Sequence, residues 1–331
     1  MLKLTDFDYV LPKELIAQYP LKQRDSARLL VLNRAKSTIE HRVFKDIIDY
    51  LNKNDLLVLN NTKVLPARLI GSRKTGGKVE ILLLNRSKGL SFDALIRPSR
   101  VKINEKIIFN GNGISCEVSA RNQVTFSVKD IEEIYALGKT PLPPYIKREP
   151  IDLDAIYYQT VYAKAQGSIA SPTAGLHFTE ELLKKIKAKG INLAYVTLHI
   201  GYSTFAPVKS EDITQHKIQK EIFSISSKTQ ELLQEAQVKK SRVIAVGTTS
   251  LRAIETFSQT GTAEGTTNLF IYPGYNFKIA DCLLTNFHLP RTTLFMLTAA
   301  FATEKFIKRA YQEAVEKKYR FYSYGDAMLI T

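Results

Sequence analysis

Three histidines lie in short segments rich in glycine and hydroxyl residues in the second half of the chain. His177 belongs to SPTAGLHF (171–178), His199 to TLHIG (197–201) and His288 to TNFHLPRTT (285–293). A neutral imidazole accepts or donates a proton near pH 7, so these segments predict general acid–base chemistry. The alternative for each is a buried structural role, and we expect at least one of the three to be structural.

A lone acid and a glycine turn extend this set. Asp326 is the acid of YSYGD (322–326), in an otherwise apolar or small-residue segment, and is either catalytic or a buried or helix-capping aspartate. VGTTSLR (246–252) has the pattern of a strand-to-helix turn. Gly247 lets the backbone turn tightly there, and the hydroxyls and free N–H groups at the helix start favour binding of an anion. Arg252 can add a bidentate contact to a carboxylate or phosphate. An ordinary capped helix with a surface arginine is the alternative.

The flanks of the chain contain the elements that must position these segments. Apolar strands are predicted over 55–60, 191–200 and 243–246, and helices over 179–188, 228–238, 250–257 and 302–318. Such alternation is typical of a mostly parallel sheet with helices on both faces. In open α/β sheets, ligands bind beyond the carboxyl ends of the strands, where the glycine-rich segments are expected.

The middle of the chain has a different residue pattern. Short β-branched or aromatic runs are separated by turns such as KTGG (74–77) and NGNG (110–113), a pattern that predicts a small antiparallel barrel or sandwich. We therefore expect an α/β domain built from residues 1–61 and 151–331, with a β-barrel domain inserted at residues 62–150.

The sequence lacks the motifs that are typical of several function classes. The chain has no complete dinucleotide fingerprint or phosphate loop, and its five histidines and two cysteines show no zinc-ligand spacing, so we expect no metal. No window approaches 18 apolar residues, and Asp6 and Asp8 interrupt the region where a signal peptide is apolar. Isolated Cys116 and Cys282 fit a reducing compartment. We expect a cytoplasmic protein with no membrane partner.

The net charge indicates a polyanionic partner. The chain has 47 Lys and Arg against 32 Asp and Glu, a formal charge of +15. Residues 62–150 hold 16 basic and 8 acidic residues, so +8 of the +15 falls in the predicted inserted domain. Nucleic acid is the first candidate, and a Lys-rich solvated surface is the alternative.

Read with their neighbours, the segments resemble the S-adenosylmethionine:tRNA ribosyltransferase-isomerase (QueA) family of queuosine biosynthesis. The C-terminal blocks that carry the resemblance are SPTAGLHFTEEL, VTLHIG with TFAPV, VIAVGTTSLRAIE, TNFHLPRTTLFML and YRFYSYGDAMLI. In the N-terminal half NDLLVLNNTKVLPARL, PLPPYIKR and YQTVYA match in the same order. The resemblance covers essentially the whole chain, and the family's fold, an α/β domain with an inserted β-barrel, agrees with the division above.

The resemblance implies a reaction. The family transfers the ribosyl part of S-adenosylmethionine to 7-aminomethyl-7-deazaguanine at the wobble position of tRNAs with a GUN anticodon. The ribosyl unit is isomerised, which gives epoxyqueuosine and releases adenine and methionine. S-adenosylmethionine is then a co-substrate, and no other cofactor is expected. The implied partners are this tRNA and S-adenosylmethionine, and we expect a monomer.

The implied reaction and the distribution of charge suggest roles for the candidate residues. A base beside the sulfonium carbon and an acid for departing adenine are required, and the catalytic candidates are His177, His199, His288 and Asp326. The substrate-binding candidates are Thr173, Gly175, Phe178, Gly201, Gly247, Thr248, Thr249, Ser250, Arg252, Asn286, Phe287 and Tyr324. The tRNA-binding candidates are Lys74, Lys78, Arg97, Arg100 and Lys102.

Three blocks, at 165–168, 201–204 and 216–221, depart from the family's usual sequence, and the last changes a residue type that could do chemistry. His-x-x-His-Ser-Glu reads here His216-Lys217-Ile218-Gln219-Lys220-Glu221, so the second histidine is Gln219 and the serine is Lys220. Two other functions stay open at this point. One is a different S-adenosylmethionine enzyme, such as an RNA methyltransferase, and the other is a non-catalytic RNA-binding relative.

Overall fold

Alternating apolar residues on the strand β1 (Arg28–Asn33) divide the core of the protein into two layers. Leu30 and Leu32 pack in one layer, and Leu29 and Val31 pack in the other. Successive side chains of a strand point to opposite faces, so this sheet is covered on both sides. The structure is a computed structural model that describes residues 1–109, 113–202 and 208–331.

Nine strands of the described residues form one large sheet. In sheet order they are β15 (Glu264–Thr267), β13 (Glu221–Ile225), β12 (Asn192–Leu198), β3 (Leu56–Asn60), β14 (Val243–Val246), β16 (Cys282–Asn286), β17 (Ala327–Ile330), β1 and β2 (Thr38–Val43). The central strands β12, β3, β14 and β16 are parallel, and β17 is parallel to β1. The other pairs, mostly toward the edges, are antiparallel. The parallel centre therefore gathers four carboxyl ends at one edge.

Helices cover both faces of this sheet. One face carries α3 (Glu180–Ala188), and the other carries α4 (Ser227–Val238), α5 (Gly247–Thr260), α6 (Thr293–Ala302) and α7 (Glu304–Glu316). As predicted, Thr179 caps α3 by accepting a hydrogen bond from the Leu182 N–H at 3.1 Å. The helix predicted over 302–318 is α7, and Thr303, with φ of +72°, separates it from α6.

Shorter helices complete the described elements. The α-helices α1 (Ile131–Ala136) and α2 (Asp152–Tyr157) flank the segment that leaves the middle of the chain. The 3₁₀ helices are Leu4–Phe7, Lys13–Leu15, Arg24–Ser26, Phe44–Tyr50, Thr173–His177 and Ile213–Gln215. Within the described ranges, no helix is long and apolar enough to cross a membrane.

The middle of the chain forms a closed antiparallel barrel of six strands within the described residues. These are β5 (Arg68–Arg73), β6 (Lys78–Arg86), β7 (Ser91–Arg97), β8 (Lys106–Ile108), β9 (Ser115–Ala120) and β10 (Gln123–Phe126). The barrel has its own core, which includes Leu69, Ile81 and Phe92. Gly71 is required where β5 meets β8, because a Cβ there would lie 2.7 Å from Ile107 Cγ2.

A small parallel sheet lies beside the barrel. It pairs β4 (Thr62–Val64) with β11 (Ala165–Ser168). The predicted fold class is confirmed: strands from both chain ends build the α/β sheet, and the barrel is inserted between them. The domain boundaries stay a prediction. Residues 110–112 of the predicted turn and residues 203–207, which include most of the TFAPV block, lie outside the described residues.

Candidate active site

A cleft of about 570 Å³ opens at the carboxyl edge of the parallel strands, where β14 and β16 end. We call it the main cleft. Four of the glycine- and hydroxyl-rich segments meet there, as expected for an open α/β sheet. The lining residues are Tyr145, Tyr158, Ala170, Ser171, Pro172, Thr173, Ile200, Gly247, Thr248, Thr249, Thr285, Asn286, Phe287, His288, Leu294, Tyr322 and Ser323. None of these lining residues is an acid, a lysine or an arginine, so the cleft suits a neutral polar group.

Three buried polar atoms of the main cleft make no close, well-aligned hydrogen bond with a described residue. They are Tyr158 Oη, Ser171 Oγ and Asn286 Oδ1. The Asn286 amide is held in place because its Nδ2 donates to the Tyr322 carbonyl at 2.9 Å. Buried polar groups are nearly always paired in folded proteins. Three groups without a close, well-aligned bond on one cleft are therefore typical of a site that receives a polar ligand.

His288 is the catalytic candidate that lines the main cleft. It follows β16, and its Nε2 lies 2.9 Å from Thr285 Oγ1. Its backbone is fixed on both sides, since its N–H donates to Tyr311 Oη at 3.0 Å and its carbonyl accepts from Tyr9 Oη. Burial lowers the pKa of His288 to about 3, so the imidazole is neutral at pH 7.

His177 lies in a smaller neighbouring cleft of about 290 Å³. Its ring stacks on Phe44 at 4.9 Å between centroids, and its side chain lies near Asn286, which lines the main cleft. Burial lowers the pKa of His177 to about 4. Ser323 lines both this cleft and the main cleft, so the two are neighbours, but the His177 side chain does not line the main cleft.

His199 lies beside the small β4–β11 sheet. Its Nδ1 is 2.8 Å from Thr62 Oγ1, and burial lowers its pKa. Gly167 leaves room for the ring, because a Cβ there would lie 2.8 Å from His199 Cε1. Ile200, the next residue, lines the main cleft, whereas His199 does not. The structure therefore brings one of the three predicted histidines into the main cleft and holds the other two outside it.

Asp326 is buried at the junction of β1 and β17. Its carboxylate accepts hydrogen bonds from the Arg28 N–H at 2.9 Å, the Arg320 N–H at 2.8 Å and Arg28 Nε at 3.3 Å. It lines neither the main cleft nor the His177 cleft. These contacts support the buried-aspartate alternative of the sequence analysis.

Some of the aromatic and glycine residues predicted to bind substrate line a cleft, and others are packed in the core. Phe287 lines the main cleft, while Phe178 is buried against Phe44 at 5.0 Å between ring centroids. Tyr324 lines the His177 cleft, and its hydroxyl donates to Asp154 Oδ1 at 2.7 Å. Gly175 serves packing, because a Cβ there would lie 2.1 Å from Tyr162 Oη.

The turn that we predicted to bind an anion contributes residues to two different clefts. Gly247 begins α5 directly after β14 with φ of +88°, and Gly247, Thr248 and Thr249 line the main cleft. Thr249 Oγ1 accepts from Asn60 Nδ2 at 3.1 Å, while the buried Ser250 Oγ has no partner among the described residues. Arg252 lies one turn further along α5 and lines a different cleft.

This third cleft has an open volume of about 630 Å³, and we call it the Arg252 cleft. Its lining residues are His216, Lys217, Ile218, Gln219, Arg252, Leu269, Phe270, Ile271, Thr293, Leu294 and Leu297. Arg252 Nε donates to the Leu269 carbonyl at 2.9 Å, and its Nη1 pairs with Glu221. Glu221 also accepts from the Gly201 N–H at 3.1 Å, so Gly201 is tied to this buried ion pair.

Sequence reasoning missed the tyrosines that close the main cleft. Tyr145 comes from PLPPYIKR, the segment that leaves the barrel, and its hydroxyl hydrogen-bonds Ser323. Tyr158 and Tyr322 line the same cleft from distant parts of the chain. All three lie in blocks that the family resemblance singled out, PLPPYIKR, YQTVYA and YRFYSYGDAMLI, but the chemical reasoning did not name them.

The five tRNA-binding candidates are exposed on or near the barrel. Lys74, Lys78, Arg97, Arg100 and Lys102 are all exposed, and none forms an ion pair with a described residue. Arg97 also lines a groove of about 960 Å³ between the barrel and the segment 141–148. Across the described ranges, no group of three or more His, Cys, Asp and Glu side chains is arranged to hold a metal ion.

The fold and the main cleft together define an α/β enzyme with an inserted β-barrel and a polar ligand site at the carboxyl edge of its sheet. The family model described as queuosine biosynthesis protein matches residues 4–330. The chain belongs to this family. Its curated relatives share one enzyme name, so it is an enzyme of the transferase–isomerase class.

The relatives match along their full length. The S-adenosylmethionine:tRNA ribosyltransferase-isomerase of Sulfurihydrogenibium sp. (strain YO3AOP1) is 55% identical over 99% of this chain and 100% of its own. That of Thermosipho africanus (strain TCF52B) is 50% identical with the same coverage. The crystal structure of S-adenosylmethionine tRNA ribosyltransferase from Thermotoga maritima is similar with a TM-score of 0.58 and 38% identity, over 98% of this chain and 100% of that one.

Proposed function

We propose that this enzyme transfers the ribosyl part of S-adenosylmethionine to 7-aminomethyl-7-deazaguanine at the wobble position of a tRNA with a GUN anticodon. The ribosyl unit is isomerised to an epoxycyclopentanediol, and adenine and methionine leave. The names of the full-length relatives support both substrates. S-adenosylmethionine and tRNA are cytosolic, so the same proposal puts the reaction in the cytoplasm.

The observation that carries the proposal is the composition of the main cleft. Hydroxyl, amide and phenol groups and the neutral His288 line it, with no acid, lysine or arginine among the lining residues. A nucleoside is a neutral polar group, and it matches the uncharged polar lining of this cleft. Tyr158, Ser171 and Asn286 supply polar atoms that a bound ribose or base would pair.

His288 is suited to move the proton that the reaction must transfer. As a neutral imidazole it can accept the proton from the carbon beside the sulfonium. Burial lowers its pKa to about 3, which weakens the imidazole as a base and makes the imidazolium a strong acid, so a proton that it accepts passes readily to departing adenine. The proton removed from the ribosyl carbon is then the one that adenine carries away, and the step balances.

The barrel is proposed to hold the tRNA. The segment 62–150 carries +8 of the net +15, whereas the main cleft is lined mainly by the α/β domain, which supports a division between backbone contacts and chemistry. A monomer of this arrangement presents both surfaces, and no second copy is required by the proposal.

The reaction is tested by its products. The enzyme is incubated with S-adenosylmethionine and precursor-bearing tRNA, and small molecules and digested nucleosides are analysed by mass spectrometry. Adenine, methionine and epoxyqueuosine are expected, with none formed on tRNA that lacks the precursor. His288→Gln is expected to lower kcat at least about 100-fold. S-adenosylhomocysteine with methylated RNA, or tRNA binding without use of S-adenosylmethionine, would contradict the proposal.

A further inference from the structure

The Arg252 cleft carries a charge that the main cleft lacks. Lys217 and Arg252 line it, no lining residue is acidic, and Leu269, Ile271 and Leu297 supply apolar walls. A cavity with cationic groups and apolar walls fits a small anion joined to an aliphatic chain. No such pair of cations lines the main cleft.

Arg252 has one donor that the protein leaves unused. Its side chain is buried, with only 6% of the residue exposed, and Nε and Nη1 are engaged by Leu269 and Glu221. Nη2 has no hydrogen-bond partner among the described residues. A buried guanidinium donor without a partner is costly, and its cost falls when an anion pairs with it.

The two clefts are adjacent. Leu294 lines both of them, and the first turns of α5 contribute Gly247 to Thr249 to one cleft and Arg252 to the other. A molecule with a nucleoside at one end and a terminal carboxylate at the other would reach both clefts by passing Leu294. S-adenosylmethionine has these two ends: its α-amino carboxylate is zwitterionic and its sulfur is cationic, so the carboxylate is the group that the cations of the Arg252 cleft can pair.

We propose that the Arg252 cleft binds the α-amino carboxylate end of S-adenosylmethionine, with Arg252 Nη2 and Lys217 pairing the carboxylate while the nucleoside lies in the main cleft. The inference rests on the proposed function and specifies it further. It also gives a role to segment 216–221, whose sequence differs from the family's usual one. Lys217 and Gln219 line this cleft, and Glu221 holds Arg252 in position.

A tRNA phosphate is the competing anion for Arg252. A phosphodiester is flanked by ribose on both sides and needs an accessible surface, whereas Arg252 is almost fully buried. A terminal carboxylate on a flexible chain reaches such a donor without the rest of a polymer. The burial of Arg252 thus favours the small-molecule carboxylate.

The test compares three ligands by isothermal titration calorimetry on the full chain: S-adenosylmethionine, decarboxylated S-adenosylmethionine and 5′-methylthioadenosine. Wild type should bind S-adenosylmethionine at least about tenfold more tightly than the decarboxylated form, as a charge-assisted contact requires. Arg252→Lys keeps a cation beside Glu221 but lacks the second guanidinium nitrogen. It should lose most of that preference and bind 5′-methylthioadenosine as wild type does.

Matched variants keep the test decisive. Lys217→Gln should lower the preference for the carboxylate, whereas Lys220→Gln, an exposed neighbour outside the cleft lining, should leave it unchanged. If Arg252→Lys fails to bind 5′-methylthioadenosine, the Lys217 and Lys220 pair decides. Equal preference in wild type and the cleft variants overturns the inference, as does a loss of tRNA affinity alone. A wild type that binds none of the three ligands contradicts the proposed function instead.

Discussion

His288 illustrates how burial sets the chemistry of a single residue. The same side chain type at His199, beside a small surface sheet, is half-buried, whereas His288 lies fully inside and is neutral. Thr285 and Tyr311 hold its ring and backbone, so its orientation in the main cleft is fixed before any ligand arrives. Preorganisation of this kind is what proton transfer at a positioned group requires.

The buried histidines also predict how stability depends on pH. Folding lowers the pKa of His177 to about 4 and of His288 to about 3, against an unfolded value near 6.5. Between about pH 6.5 and these values, the unfolded chain binds protons that the folded chain does not. The free energy of unfolding should therefore fall as the pH falls through this window, by about 1.4 kcal/mol per pH unit for each histidine.

Urea unfolding at intervals from pH 7 to 4.5 measures this slope. His288→Gln, which can keep a hydrogen bond to Thr285, should reduce the slope by about 1.4 kcal/mol per pH unit. His41→Gln is the control, because that histidine lies on the edge strand β2, outside the core, with its Nε2 at 2.7 Å from Glu313 Oε1. An unchanged slope in His288→Gln would show that His288 titrates normally in the folded protein.

At the scale of elements, the small β4–β11 sheet positions His199. Gly167 interrupts β11 with φ of +143°, and the absence of a side chain there admits the imidazole. The ring then reaches Thr62 on β4. One glycine thus couples the backbone of this sheet to the histidine at the end of β12.

Gly167→Ala should destabilise the protein by about 2–4 kcal/mol, because it adds strain at positive φ and a contact of 2.8 Å to His199. The matched control is Gly265→Ala on β15, which has φ of +150° and no atom within 4 Å of the added Cβ. That variant isolates the cost of the backbone, about 1–3 kcal/mol. Urea unfolding of both variants gives the difference, and equal losses would show that the ring yields freely.

On the scale of the whole molecule, charge and chemistry occupy different parts. The inserted segment 62–150 carries +8 of the net +15, and its exposed cations form no ion pairs within the described part of the chain. The clefts lie mainly in the α/β domain, with Tyr145 reaching across from the segment that leaves the barrel. This arrangement lets the molecule contact a long polyanion and a small co-substrate at once.

Replacing Lys74, Lys78, Arg97, Arg100 and Lys102 by Gln should weaken tRNA binding and flatten its salt dependence. Each lost phosphate contact lowers the slope of log K against log salt by about 0.7–0.9. The control replaces five exposed lysines of the α/β domain by Gln, which gives the same net charge: Lys184, Lys187, Lys228, Lys240 and Lys305. Filter binding from 50 to 300 mM salt checks both, and equal slopes would leave the barrel cations as ordinary surface.

The sequence by itself determined the scaffold and the family. Apolar periodicity over 191–200 and 243–246, and short runs between turns over 62–150, fixed the α/β sheet and the inserted barrel, because both are set by local patterns. The capping of α3 by Thr179 was likewise visible, since a cap lies beside the helix it serves. Long motifs such as SPTAGLHFTEEL and VIAVGTTSLRAIE identified the relatives.

Only the tertiary structure decided which side chains meet. It brought His288 into the main cleft and held His177 and Asp326 elsewhere, because burial depends on what packs against a residue from distant segments. It placed Arg252 on the wall of the Arg252 cleft and paired it with Glu221, 31 positions away. It also joined Tyr145 to Ser323 across 178 positions. Contacts at such separations leave no local pattern, so the sequence named the groups and the fold assigned their neighbours.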